Sequence, residues 1–140
     1  MTARDLNAVA QIFEADTGAA PPAGFREHLS ALVKSGGAVF VAIGGREVVG
    51  YVAGEIRSWE FGSPPAGWVF ALAVKPSWQR FGTGRALLAR AVEALRKAGV
   101  RAVRTMVSRE DVAVLRFFRR EGFVAGPYTE LELTFGGRAR

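Results

Sequence analysis

The stretch QRFGTG, Gln79 to Gly84, sets two glycines one residue apart between an apolar run and a segment of helical periodicity. A strand that feeds a helix through such a loop gathers unpaired backbone NH groups and the positive end of the helix dipole at one spot, which suits an anion. A missing Cβ lets phosphate oxygens approach the main chain, and Arg80 and Arg85 can add charge from either side. Taken alone, Gly82 and Gly84 favour an ordinary tight turn. Two known phosphate loops fail against the letters. A Walker loop needs GxxxxGK followed by Ser or Thr, and a dinucleotide fingerprint needs a third glycine or alanine where Leu87 stands.

Other chemistries are narrowed by composition. There is no cysteine, hence no disulfide, thiolate nucleophile or Cys-ligated metal, and the single histidine, His28, cannot supply a metal-binding cluster. The net charge of +6 fits an anionic ligand, although solvated helix faces explain basic residues as well. Arg116, Arg119 and Arg120 read as such a face, so no nucleic-acid partner is expected. With 140 residues, 49% hydrophobic and 23% charged, the chain should fold as one globular domain spanning 1–140, with a frayed tail from about 136. No apolar run is long enough to span a bilayer and the N-terminus lacks a signal-peptide pattern, so a cytoplasmic protein without a membrane partner is expected.

The elements that must position the loop follow from periodicity. Helical spacing predicts helices over about Asp5–Thr17 and Phe25–Lys34, separated by GAAPPAG. AVFVAI (Ala38–Ile43), Gly44-Gly45 and EVVGYVAGEI (Glu47–Ile56) predict two antiparallel strands around a hairpin turn. WVFALAV (Trp68–Val74) reads as a buried central strand closed by Pro76. After QRFGTG, Leu87, Leu88, Ala91, Val92 and Leu95 form one helical stripe that Gly99 ends. Arg101–Val107 predicts a strand, and Ser108 can cap a further helix, with Asp111 in its first turn and Gly122 at its end. Phe123–Gly126 and Tyr128–Phe135 predict two last strands. The order is α-α-β-β-β-α-β-α-β-β, an α/β (α+β) arrangement with helices covering a mixed sheet.

Read as LAVKPSWQRFGTGRALL, the segment resembles the acetyl-CoA motif of the GNAT superfamily of N-acetyltransferases: a strand, Val-x-Pro, Q/R-x-x-G-x-G/A, then a helix. Downstream, DVAVLRFFRREGF (Asp111–Phe123) resembles the family's second cofactor segment, and the order of elements from about Asp5 to Phe135 is the one that fold would give. The resemblance implies a single GNAT-like domain whose mixed, mostly antiparallel sheet has about six strands flanked by about four helices and splays at its central strands. The family's usual first strand would be short or missing, since only four residues precede Asp5.

The resemblance also implies roles. Leu72, Ala73 and Val74 would hydrogen-bond the pantetheine arm of acetyl-CoA as an added strand does. Arg80, Phe81, Gly82, Thr83, Gly84 and Arg85 would surround the pyrophosphate, Gln79 would belong to the same cofactor-binding loop, and Asp111 and Phe118 would belong to the second segment. The reaction implied is N-acetyl transfer to a primary amine, in a small molecule or at a peptide N-terminus, by direct attack in a ternary complex. The positions at which many relatives carry a base are Phe70 and Met106, and the position of the usual tyrosine acid is Phe118. A thiolate leaves tolerably without an acid, since a thiol has a pKa of about 8.5. A missing base matters less for an α-amine of pKa about 8 than for lysine, near about 10.4. Glu55, Glu60, Glu130, His28 and Tyr128 are weak substitutes, and an acyl-CoA-binding domain with little transferase activity is the alternative. The oligomeric state stays open, a homodimer included.

Overall fold

The computed structural model describes residues 1–136. Residues 137–140, most of the tail expected to fray, lie outside the described residues. The chain divides into two compact units, one from Met1 to Met106 and the other from Val107 onward.

The first unit is built on a sheet ordered β1-β2-β3-β4. Its strands are β1 (Ala38–Gly44), β2 (Glu47–Arg57), β3 (Ala66–Val74) and β4 (Val103–Arg104). β1, β2 and β3 pair antiparallel, and β4 runs parallel to β3. Helices α1 (Ala3–Thr17) and α2 (Phe25–Lys34) supply Val9, Ile12 and Leu29 to a core closed by Tyr51, Ala53 and Ala73. Helix α3 (Thr83–Lys97) buries Leu87, Leu88, Ala91 and Leu95. It comes close enough that a Cβ on Gly67 of β3 would lie 2.8 Å from Leu95 Cδ1.

Local chemistry accounts for the ends of these elements. Thr2 and Asp5 form a reciprocal capping box at the start of α1. Between β3 and α3, where the sequence predicts a loop, Pro76–Phe81 forms a 3-10 helix, so Gln79, Arg80 and Phe81 sit on a turn of helix. Trp78 fixes that turn by packing on Gly44, where a Cβ would lie 2.6 Å from the indole.

In the second unit, α4 (Val112–Arg120) is capped by Asp111, whose Oδ1 accepts from Val114 NH at 3.2 Å. Ser108 was expected to be the cap; its hydroxyl instead accepts from Glu110 NH. Phe118 is buried between Phe117 and Phe123, each with ring centroids 5.2 Å away.

The strand expectation needs correction. The described residues hold four strands, not about six, and four α-helices with one 3-10 helix. Arg101–Val107 contributes a two-residue strand only, and Phe123–Gly126 and Tyr128–Phe135 join no ladder. Leu131, Leu133 and Phe135 are accordingly 92%, 79% and 87% exposed. Alternation makes a segment competent to be a strand, but the strand itself exists only where another edge takes its hydrogen bonds.

Candidate active site

The end of β3 is where the first unit offers unused main chain. The parallel ladder with β4 stops at Trp68–Arg104, and the next link is a side chain, Thr105 Oγ1 donating to Val69 O at 2.8 Å. Beyond it Leu72, Ala73 and Val74 keep their β2 partners, Val52, Tyr51 and Gly50, and have no ladder partner on the other edge among the described residues. A strand edge left open this way can accept an extended, amide-bearing ligand.

That edge runs into the start of α3 through a tightly tied turn. Gln79 Nε2 donates to Val74 O at 3.0 Å, and Lys75 NH donates to Val49 O at 2.8 Å. Gly82 ends the 3-10 helix and opens α3 at φ 74°, a left-handed conformation that glycine adopts without a Cβ penalty. No side chain caps α3 and no acid stands in its first turn, so its leading NH groups and its dipole remain available to an anion. α2 also lacks a side-chain cap but carries Glu27 in its first turn, while α1 and α4 are capped by Thr2 and Asp111. Thr83, Gly84 and Arg85 form the first turn of α3, and Arg80 and Phe81 are exposed beside it. A strand edge followed by an uncapped helix start fits a ligand with amides and a pyrophosphate.

A second cluster lies on the α1–α2 face of the sheet. Between Ala53↔Ala71 and Gly54↔Val69 the β2–β3 register skips Phe70, which makes it the extra residue of a β-bulge. The Phe70 ring meets the imidazole of His28, with centroids 5.7 Å apart. His28 Nε2 lies 3.2 Å from Glu55 Oε1, and Arg57 Nε donates to Glu55 Oε2 at 3.0 Å. The Arg57 guanidinium stacks 4.6 Å above the Trp68 ring, and Trp68 Nε1 donates to Glu60 Oε1 at 2.9 Å. Trp59 and Phe61, on either side of Glu60, hold left-handed φ values of 67° and 47°.

The structure thus brings His28 and Glu55 into contact and ties Glu60 into the same network through Trp68. Tyr128, Glu130, Asp111 and Phe118 belong to the second unit, where Asp111 is occupied as a helix cap and Phe118 as a packing residue. Arg57 and Trp68 carry no functional signal in the sequence alone beyond the charge at i+2 from Glu55 along β2 and the aromatic that becomes Glu55's register partner on β3.

The model of the Acetyltransferase (GNAT) family matches residues 6–123. Solved structures similar to the chain include an aminoglycoside acetyltransferase from an uncultured soil metagenomic sample, in complex with sisomicin. It is 23% identical over 100% of this chain and 93% of its own, with a TM-score of 0.69. The aminoglycoside N-acetyltransferase AAC(6')-Iy in complex with CoA is 16% identical over 96% of this chain and 91% of its own, TM-score 0.80. Ard1 from Thermoplasma volcanium is 21% identical over 89% and 79%, TM-score 0.74. No curated relative matches the chain. At these identities the likeness to solved structures is one of fold.

Proposed function

Because the chain belongs to the GNAT acetyltransferase family, we propose that it transfers an acetyl group from acetyl-CoA to a primary amine by direct attack in a ternary complex. The observation that carries this reading is the open edge of β3 leading, through the 3-10 turn Pro76–Phe81, into the uncapped, acid-free start of α3. Leu72, Ala73 and Val74 would hold the pantetheine amides along that edge. Gly82 and the amides of Thr83, Gly84 and Arg85 would take the pyrophosphate, with Arg80 adding charge and Gln79 fixing the turn to Val74. Acetyl-CoA, when bound, supplies an activated acyl carbon and a thiolate that leaves without an obligatory acid. The protein's share is then chiefly positioning and main-chain electrostatics.

The acceptor is a small-molecule amine or a peptide N-terminus. The small-molecule class draws support from relatives solved with sisomicin and with a CoA-linked acetylneamine analogue. A second reading, an acyl-CoA-binding domain with weak or no transfer, is favoured by Phe70, Met106 and Phe118, none of which can move a proton.

Two measurements separate the readings. Saturating CoA or acetyl-CoA is expected to stabilise the protein by a few kcal/mol, as about 2.7 kcal/mol follows at one hundred times Kd. No thermal shift would remove the cofactor assignment. Thiol release from acetyl-CoA over a panel of amines tests transfer, and silence beside a clear CoA shift would leave the binding-domain reading standing.

A further inference from the structure

We propose that His28 and Glu55 form the proton-accepting pair of this site, an imidazole base on α2 oriented by a carboxylate on β2, in place of an acid on β3 or β4. The inference rests on the transferase reading above. Its carrier is the juxtaposition at the bulge: the apolar Phe70 is turned out of register and its ring lies against His28, two residues before the open edge of β3 begins at Leu72. Bulges beside reactive sites commonly serve to re-aim one side chain.

The pair has the layout of an oriented base. Glu55 is mostly enclosed, its side chain 20% exposed, and Arg57 Nε donates to its second oxygen, so the carboxylate faces His28 as an acceptor. Nε2 of His28 therefore carries the hydrogen directed at Glu55, and Nδ1 keeps the lone pair. The His28 side chain is 56% exposed and open to an incoming amine. The imidazole faces Glu55 on β2 with Arg57 behind it, and on β3 it meets the uncharged Phe70 ring. On its own helix Arg26 is turned to Asn7 of α1, and Glu27 lies in the first turn.

The acceptor ammonium gives one proton to Nδ1, and the imidazolium so formed is balanced by Glu55. The freed nitrogen lone pair makes the bond to the acyl carbon, and the electrons of the carbon–sulfur bond leave with sulfur as CoA thiolate. The second proton, shed as the amide forms, goes to that thiolate. His28 then returns its own proton to water. His28 is the catalytic residue and Glu55 the positioning one.

The chain's single histidine makes the test direct, because the imidazole signals in an NMR titration can come from nowhere else. Wild type, His28→Gln and Glu55→Gln are compared for CoA-induced thermal shift, for kcat/KM against pH with the best amine among a dipeptide, spermidine and sisomicin, and for the imidazole titration. All three should keep the CoA shift. In the wild type the rise of kcat/KM with pH should follow the His28 titration. His28→Gln should lose about 10²-fold in kcat/KM together with that limb. In Glu55→Gln the limb and the NMR titration should move together, which a merely structural role for Glu55 would not produce. An unchanged profile in His28→Gln with CoA binding intact overturns the pair and leaves the transferase reading in place. A wild type that binds CoA but releases no thiol, or one that does not bind it, overturns both.

Discussion

Gly44 shows how far a single atom can matter to the anion site. A Cβ there would lie 2.6 Å from Trp78 Cζ2, so Gly44→Ala must push the indole and with it the 3-10 helix whose Gln79 is bonded to Val74 O. Overpacking of this kind typically costs about 1–3 kcal/mol. The expected result is that loss in a denaturant titration, accompanied by weaker CoA binding in calorimetry. Equal affinity in the variant and the parent would show that the turn can shift without disturbing the helix start. Legibility at this scale was uneven. Gly82 and Gly84 announced themselves by spacing, and Glu55 and His28 could be named as titratable groups, yet they stand 27 positions apart in the chain. Only the fold brings His28 of α2 to Glu55 of β2, so no local pattern could pair them. The bulge at Phe70 was hidden for a related reason, since a skipped register is a property of two strands and not of either sequence.

At the scale of elements, helices and the hairpin were readable because their determinants are local. Phe25–Lys34 has the bounds its periodicity predicts, β1 and β2 differ from expectation by one residue each, and Gly99 and Gly122 sit at helix ends. The last strands were not readable, because the alternation of Tyr128–Phe135 says nothing about whether an edge will receive it. Helix α3 gives a prediction in which stability and binding move oppositely. Thr83→Asp places an acid in a first turn that has none, which should stabilise the helix by about 0.3–1 kcal/mol through its dipole. The same carboxylate would sit where the pyrophosphate is assigned and should weaken CoA binding at least about tenfold, roughly 1.4 kcal/mol. A higher melting temperature with unaltered CoA affinity would mean that this helix start holds no anion.

For the first unit as a whole, one buried polar group ties the core to pH. Tyr51 is among the largest fully buried side chains and packs with Val9, Ile12 and Leu29 where α1 and α2 meet the sheet. Burial, and secondarily the charge of Asp16, push its phenol well above the ordinary value. A raised pKa means that the folded state holds the proton more tightly than the unfolded chain does. The corresponding stability is fully present below the unfolded pKa of about 10 and is lost as pH climbs from there toward the folded value. The loss should approach about 1.4 kcal/mol per pH unit for this one proton. Denaturant titrations of wild type and Tyr51→Phe between about pH 8 and 11 isolate it, because every other group titrates in both proteins. The difference in stability between the two should be constant up to about pH 10 and then shift in favour of the phenylalanine variant. Parallel curves over the whole range would mean that the phenol ionises as readily folded as unfolded, and that the α1–α2 face admits water at this position.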